Sequence, residues 1–313
     1  MCGLVGFSGK ANTSIFKALH LLADNDSRGG HSTGLFANNK IYKTKDESMN
    51  IFPMLNTTTT GNILIGHTRY ATHGATTAQN AHPYQYGNII GAHNGVLSNY
   101  EEVGKKFNIE KTEVDSQMIF KLLSKDFNLK HLGLFSGAKN VIFTDTKTNQ
   151  LYIYRKDNPL YYLDTEEGIY FSSLKDGLEN IKKKKDKIKE VKENKVFIIK
   201  NGEHIKTVNV KHKPIATTKI VNTNWRSYGH GTATNVYGYN GYNLTGEHNR
   251  LQQSDWNFDD EDEWSEMENE YNKIADHIEL LQDIARDDAY SAVKDDIIEL
   301  IEYLNNKLTE VYY

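Results

Sequence analysis

The sequence predicts an α+β fold in which helices precede a series of short antiparallel hairpins. Helices are predicted at residues 13–24 and 113–126, because apolar residues recur there every three or four positions. Later pairs of strand-like segments are joined by short connections at 146–149, 166–168 and 201–202. Such connections suit antiparallel neighbours, since parallel strands need a crossover of a dozen or more residues. The layered domain is predicted to end near residue 215.

The remaining elements of this domain are predicted from local patterns. Residues 2–9 are typical of a buried strand, and further strands are predicted at 63–66 and 88–92. Residues 27–34, SRGGHSTG, are predicted to form a loop of small residues. The four lysines at 182–185 are interpreted as a solvated surface segment between two strands.

The composition is typical of a globular protein, with 38% hydrophobic and 25% charged residues in a chain of 313. No apolar run of about 18 residues predicts a transmembrane helix, and no signal peptide is predicted at the N-terminus. Cys2 is the only cysteine, which excludes an internal disulfide and a cysteine-rich metal site. We therefore expect a reducing, cytoplasmic location and no membrane partner.

The last hundred residues differ in composition from the body. Residues 216–262 are rich in Asn, Gly and Tyr and are predicted to be an irregular polar linker. Residues 263–313 carry apolar residues at alternating spacings of three and four, which predicts an acidic helical hairpin or coiled-coil segment. From Asp255 onward there are 19 acidic and four basic residues, against a net charge of −4 for the whole chain. This leaves a basic body, yet a nucleic-acid partner is not expected.

The apolar seam of the C-terminal segment must be covered by something. It could pack on the chain's own body, or it could bind a partner protein or a second copy of the chain. The sequence leaves these alternatives open. The seam consists of Trp264, Met267, Tyr271, Ile274, Ile278, Leu281, Tyr290, Val293, Ile297, Leu300, Leu304 and Leu308.

The position of Cys2 directly after Met1 suggests a chemical role. A thiol attacks as the thiolate, and a free cysteine has a pKa near ~8.5, so it needs a base. Removal of Met1 would expose an α-amino group with a pKa of about 7.7–8 on the same residue. Nucleophile and base would then be combined in one residue.

Three further sites carry groups that such a nucleophile could use. Arg69 lies beyond a predicted strand and could hold a carboxylate through two hydrogen bonds. Asn94 and Gly95 could supply a side-chain amide and a backbone N–H to an oxyanion. Asp115, at a predicted helix start, could accept from an ammonium group. Each has a structural alternative: a surface ion pair for Arg69, a tight turn for Asn94-Gly95, and a helix N-cap for Asp115.

As an ordered set, these motifs resemble the glutaminase domain of class II glutamine amidotransferases. The resemblance covers about residues 2–215. It implies a four-layer α/β/β/α sandwich of the N-terminal-nucleophile hydrolase type, with two antiparallel sheets at its centre and, here, a C-terminal helical extension. The motifs are MCGLVGFSG, SRGGHSTG, GHTRYATHG, AHPY, AHNGVLSNY and EVDSQ.

The resemblance also implies roles for individual residues. Cys2 would attack the side-chain amide of L-glutamine and form a γ-glutamyl thioester, and Asn94 and Gly95 would stabilise the oxyanion. Arg69 would hold the substrate α-carboxylate and Asp115 its α-ammonium. The resemblance implies no metal and no organic cofactor.

Three other family positions surround the substrate. Thr72 and His73 would lie in the loop that lines and closes over it, and Arg28 would lie near the N-terminus of the nucleophile. The histidines at 67, 82 and 93 belong to the same motifs but are assigned no chemistry.

The sequence departs from the family pattern at three positions. His31 and Gln117 stand where the family usually has Asp and Glu, and Leu174 follows Ser172-Ser173 where an Asp is common. None of these changes removes a named catalytic group. They bear on substrate fit and rate.

The family's familiar enzymes carry a synthase domain after the glutaminase, whereas about 100 residues follow here and show no glycine-rich phosphate loop. We therefore expect a glutaminase that passes ammonia to a separate acceptor protein, bound through the C-terminal helices. The alternatives are self-association through those helices, a free-standing hydrolase of another γ-glutamyl amide, and a non-catalytic protein that reuses the fold.

Overall fold

Two antiparallel β-sheets form the centre of the molecule in a computed structural model. The structure describes residues 2–14, 16–55, 60–71, 74–216 and 294–311, together with several helical residues between 272 and 286. The predicted α+β class is confirmed. No helix in the described part is long and apolar enough to cross a membrane.

The first sheet has seven strands in the order β11-β9-β10-β1-β4-β2-β3. Its central strand, β1, carries Cys2 at its start and pairs with β4 on one side and β10 on the other. The strands are β1 (Gly3–Ser14), β2 (Ser32–Ala37), β3 (Lys40–Thr44), β4 (Thr60–Arg69), β9 (Tyr161–Asp164), β10 (Gly168–Ser172) and β11 (Ile188–Glu190).

The second sheet has six strands in the order β13-β12-β8-β7-β6-β5. The strands are β5 (Tyr84–Tyr86), β6 (Ile89–Gly95), β7 (Lys139–Asp145), β8 (Gln150–Lys156), β12 (Lys195–Lys200) and β13 (Glu203–Asn209). All three predicted hairpins are present and antiparallel. At the tightest one, Asn201 and Gly202 both have positive φ, as a two-residue Asn-Gly turn requires.

Helices cover the outer face of each sheet and complete four layers. α1 and α4 pack on the first sheet, and α2 and α3 pack on the second. A third apolar core between the sheets contains Leu4, Ile65, Ile142 and Phe171. The helices are α1 (Phe16–Asp26), α2 (Tyr100–Phe107), α3 (Asp115–Lys125), α4 (Lys175–Ile181) and α5 (Lys294–Val311), with short 3-10 helices at Ser48–Met54 and Leu129–Leu134.

Two predicted boundaries near the N-terminus were wrong. The first helix begins at Phe16 rather than at residue 13, because β1 continues to Ser14. The predicted loop 27–34 gives way at Ser32 to strand β2, which pairs with β4. The register of that pairing places Ser32 opposite Arg69, so the end of this loop lies beside a predicted substrate residue.

The lysines at 182–185 connect helix α4 to strand β11 rather than two strands. Lys182 pairs with Glu179, and Lys185 pairs with Glu166, to which Lys183 also lies close. These ion pairs at the surface fit the predicted solvated segment.

The described part of the C-terminal seam packs on the chain's own body. Ile297, Leu300 and Leu304 of α5 are buried in the same core as Leu19 and Leu22 of α1. Ile278 and Leu281 join them from the helical residues before 286. At the edge of this contact, the Tyr303 hydroxyl donates a hydrogen bond to the Asp24 carboxylate of α1. Of the two alternatives for these residues, the structure therefore shows packing on the body.

The predicted linker at 216–262 lies, apart from residue 216, outside the described residues. So do seam positions Trp264, Met267, Tyr271, Tyr290 and Val293. The division of the chain into 2–215, 216–262 and 263–313 stays a prediction.

Candidate active site

Cys2 lies half-buried at the start of β1, next to the end of β4. Its Sγ accepts a hydrogen bond from the Tyr70 N–H at 3.3 Å and lies 3.5 Å from the Tyr70 carbonyl oxygen. Burial raises the pKa of the thiol; the Tyr70 N–H and the Arg69 guanidinium act to lower it, and the Asp115 carboxylate acts to raise it. Arg69 and Asp115 therefore both lie close enough to act on the sulfur. A thiol held in this way needs a nearby base to react.

Arg28 holds the backbone next to the thiol. Its Nε donates to the Cys2 carbonyl oxygen at 3.0 Å. Arg28 follows the end of α1, whose Asn25 packs against Gly3 and donates from Nδ2 to Ser172 Oγ at 3.0 Å. The start of β1 is thus fixed from two directions, by α1 and by β10.

Arg69 is the last residue of β4 and is 3% exposed. Its Nη1 donates to the Ala75 carbonyl oxygen at 3.1 Å, so the guanidinium holds the loop that follows it. Asn80 donates to the same oxygen at 3.1 Å and to Glu113 Oε1 at 2.7 Å. The Glu113 carboxylate also accepts from the Ala75 N–H at 3.3 Å, and these two bonds lower the pKa of Glu113.

Sequence reasoning missed the roles of Asn80 and Glu113 in holding this loop. Glu113 stands two residues before Asp115 in the same motif, which is the signal that could have found it. Thr72 and His73, the predicted substrate-covering residues of this loop, lie outside the described residues.

His31, which stands where the family usually has an aspartate, supports the beginning of the same loop. Its Nδ1 accepts from the Ala71 N–H at 3.1 Å, and its ring stacks on Tyr70 with the centroids 4.7 Å apart. The backbone N–H of His31 donates to the Arg69 carbonyl oxygen at 3.1 Å. The substituted histidine thus holds the backbone of residues 69–71 next to Cys2.

Asn94 and Gly95 end strand β6 and approach β1 from the second sheet. Asn94 is 2% exposed, and its Nδ2 lies 3.5 Å from Ser173 Oγ, which accepts the Leu4 N–H at 3.1 Å. Ser173 therefore bridges Asn94 to strand β1, a contact that the sequence did not predict. Gly95 has φ +152, and a Cβ there would lie 1.9 Å from the Ala138 carbonyl oxygen, so only glycine fits.

Asp115 is the first residue of α3 and is 3% exposed. Its Oδ2 accepts from the Leu97 N–H at 2.7 Å, and its Oδ1 accepts from the Ser116 N–H at 2.8 Å. Val114, not Asp115, occupies the N-cap position, where its N–H donates to Gln117 at 3.5 Å. The simple N-cap alternative for Asp115 is therefore wrong. Gln117 makes a helix-capping contact where the family usually has Glu.

Three histidines near these residues, His67, His82 and His93, are buried. His67 Nε2 donates to the His93 carbonyl oxygen at 3.1 Å, and its ring centroid is 4.0 Å from that of His82. Burial lowers the pKa of His67 to about 3 and that of His93 to about 4, and it lowers the pKa of His82 well below its ordinary value. All three are neutral near pH 7. Among the described residues, no group of three His, Cys, Asp or Glu side chains is arranged to hold a metal ion.

These histidines make stability depend on pH. An unfolded histidine takes up a proton near pH 6.5, whereas folded His67 does so only near pH 3, so the unfolded state is favoured progressively as pH falls between these values. We expect the midpoint of urea unfolding to be lower at pH 5 than at pH 7.5. Replacing His82 by Phe should flatten this dependence, and replacing the exposed His204 by Gln should leave it intact. Equal midpoints at both pH values for the unmodified protein would contradict the prediction.

Part of the chain is similar in sequence to known glutamine-using proteins. Residues 67–180 match the family described as glutamine amidotransferase domain. Glutamine–fructose-6-phosphate aminotransferase [isomerizing] from Bartonella henselae is 33% identical over 137 residues, which is 40% of this chain and 22% of the relative. The enzyme of the same name from Lactococcus lactis is 32% identical over 157 residues, 45% of this chain and 26% of the relative. The chain thus aligns with about a quarter or less of these relatives' length.

Solved structures confirm the fold. The glutamine phosphoribosylpyrophosphate amidotransferase from B. subtilis, complexed with ADP and GMP, superimposes with a TM-score of 0.57 at 20% identity, covering 66% of this chain and 49% of the other. A second structure, described as the allosteric regulatory enzyme of purine biosynthesis, gives 0.54 at 22% identity, with the same coverages. At these identities the likeness supports the four-layer fold alone.

Proposed function

Since this chain contains a class II glutamine amidotransferase domain, we propose that it hydrolyses the side-chain amide of L-glutamine to glutamate and ammonia. What supports this most directly is that the Cys2 Sγ accepts a hydrogen bond from the N–H of Tyr70, the residue after Arg69, and that the charges of Arg69 and Asp115 both act on the pKa of the thiol. A thiol beside one buried cation and one buried carboxylate suits a substrate that carries both an α-carboxylate and an α-ammonium group.

In the proposed reaction, Cys2 acts as the N-terminal residue after removal of Met1. Its α-amino group takes the thiol proton, and the thiolate attacks the amide carbon. The negative oxygen of the tetrahedral intermediate is held by Asn94 Nδ2 and the Gly95 N–H. The C–N bond then breaks, the amine of Cys2 returns the proton to the leaving nitrogen, and ammonia departs. Water attacks the resulting γ-glutamyl thioester and releases glutamate together with the thiol.

Substrate recognition is proposed for the charged groups around the thiol. Arg69 binds the α-carboxylate, and Asp115 binds the α-ammonium. Arg28 keeps the Cys2 backbone in place through the carbonyl contact described above. Thr72 and His73 cover the bound substrate. The loop that carries them is anchored at Ala75 by Arg69, Asn80 and Glu113.

We further propose that the ammonia is used by an acceptor on another protein. The two relatives compared above are named glutamine–fructose-6-phosphate aminotransferases, and an aminotransferase passes nitrogen to an acceptor. Because the described seam residues are buried on α1, such an acceptor would meet a surface other than this seam.

The test is product release from L-glutamine by purified protein whose mass shows the loss of Met1. We expect glutamate and ammonia in a one-to-one ratio, and no release from D-glutamine, whose α-groups cannot reach Arg69 and Asp115 together. If correctly processed protein releases no glutamate from glutamine or from any other γ-glutamyl amide tested, the proposal is contradicted. Release from a γ-glutamyl amide but not from glutamine would instead support the free-standing hydrolase.

A further inference from the structure

Lys139, the first residue of β7, carries a fully buried amine that the proposed chemistry does not use. Its Nζ donates to the carbonyl oxygens of Phe135 and Gly137 at 2.9 and 3.0 Å. Burial, together with the neighbouring charge of Lys156, lowers the pKa of this amine to about 8. A buried amine is unfavourable unless its hydrogen bonds are satisfied, so these two carbonyls account for its position.

The two carbonyls belong to a turn at residues 134–138. Hydrogen bonds join this turn to residues 96–99, which directly follow the predicted oxyanion residues Asn94 and Gly95. The Val96 N–H donates to the Ala138 carbonyl at 3.3 Å, and the Ser98 N–H donates to the Ser136 carbonyl at 3.2 Å. The Asn99 side chain adds two more bonds, accepting from the Ser136 N–H at 2.7 Å and donating to the Leu134 carbonyl at 2.9 Å. Residues 96–99 are therefore joined to this turn by four hydrogen bonds.

Gly95 lies so close to the turn that a side chain at this position would not fit. Lys139 is its register partner in the β6–β7 ladder, and the Ala138 carbonyl lies where a Cβ of Gly95 would be. Gly137 has φ +106 and lies equally close to the Val96 carbonyl oxygen, with 2.1 Å between that atom and an added Cβ. Because the two backbone segments are in such close contact, we expect a displacement of the turn to reorient the peptide of Gly95.

We propose that Lys139 is a positioning residue for amide hydrolysis, which holds the 134–138 turn so that the Gly95 N–H points at the developing oxyanion. The inference rests on the proposed function. Lys139 itself does not touch the substrate and acts through the carbonyls of Phe135 and Gly137. Asp115 depends less on the turn, because Ser116, on its own helix, also donates to it. The effect should therefore fall on kcat more than on KM.

The test is the Lys139→Met variant, which keeps the length of the side chain and removes both hydrogen bonds. We expect kcat for glutamine to fall about 10- to 100-fold, as for a misplaced oxyanion donor, while KM changes less than about threefold. Alkylation of Cys2 by iodoacetamide, which needs no oxyanion site, should keep its rate within about twofold. Lys156→Met is the matched control: this register partner pairs with Asp157 and should leave kcat unchanged.

A second variant covers the case in which Lys139→Met does not fold. Lys139→Gln keeps amide N–H donors without the charge and should lower kcat by a smaller factor, about 3- to 10-fold, again with KM nearly unchanged. A folded variant with unchanged kcat, or one in which Cys2 alkylation slows as much as kcat, would overturn the inference. If the unmodified protein releases no glutamate, the proposed function fails and the inference falls with it; if it is active and both variants match it, only the inference fails.

Discussion

Replacing Cys2 by alanine is expected to lower glutamate release by roughly a thousandfold or more, because it removes the atom that bonds to the substrate. Binding should persist, since Arg69 and Asp115 remain. Isothermal titration should therefore find glutamine affinity within about threefold of the unmodified protein, while the release assay finds no product. Product formation by the alanine variant at more than a hundredth of the normal rate would exclude Cys2 as the nucleophile.

A matched control distinguishes the role of the Cys2 thiol from the role of its α-amino group. A variant with one residue retained before Cys2 keeps the sulfur beside the Tyr70 N–H but moves the free amine one residue away. If the α-amino group of Cys2 is the base, this extended protein should lose activity to a similar extent as Cys2→Ala. An extended protein with normal activity would require another base, and the buried histidines are poor candidates because their pKa values are low.

Replacing Arg69 by lysine is expected to lower kcat/KM for glutamine by about a hundredfold, mostly through KM. A guanidinium can donate two parallel hydrogen bonds to a carboxylate, which an ammonium cannot. Arg69 is also almost fully buried, so water cannot readily replace the hydrogen bond that the lysine lacks, and the expected hundredfold loss corresponds to about 2.8 kcal/mol. Steady-state kinetics with glutamine at saturating and limiting concentrations would show how much of the loss falls on KM and how much on kcat.

A truncated substrate provides the control for Arg69. 4-Aminobutanamide has the reacting amide and the amine of glutamine but no α-carboxylate. If Arg69 binds that carboxylate, the Lys variant and the unmodified protein should hydrolyse this compound at rates within about threefold of each other. An equal loss on both substrates would instead mean that Arg69 acts by holding Ala75 and the loop.

The hairpins could be predicted because their turn residues carry local information. Asn201-Gly202 takes the positive φ angles that a two-residue turn needs, and this depends on no distant contact. The start of the first helix could not be placed in the same way. Residues 13 and 14 suit either a helix or a strand, and pairing with Gly61 and Thr60 of β4 decides the matter.

The candidate site likewise combines features that local motifs predict with features that depend on tertiary contacts. Cys2, Arg69, Asn94 and Asp115 could be proposed from the sequence because each belongs to a motif with recognisable chemistry. The burial of Lys139, on which its proposed role rests, could not be predicted, because a lysine at the start of an apolar strand is typical of an exposed strand end. Its burial depends on the conformation of the turn directly before it, at residues 134–138, and on the hydrogen bonds that join this turn to residues about 40 positions earlier. The contact between Ser173 and Asn94 likewise joins residues 79 positions apart.

The central position of β1 in the first sheet also sets the order of events during synthesis. The strand pairs with β10, whose residues 168–172 follow it by more than 150 positions. At about 5–20 residues per second, roughly 10 to 30 seconds separate the appearance of the two strands. During that interval strand β1 lacks this neighbour. Strand β1 therefore cannot complete its pairing before residue 172 has been synthesised.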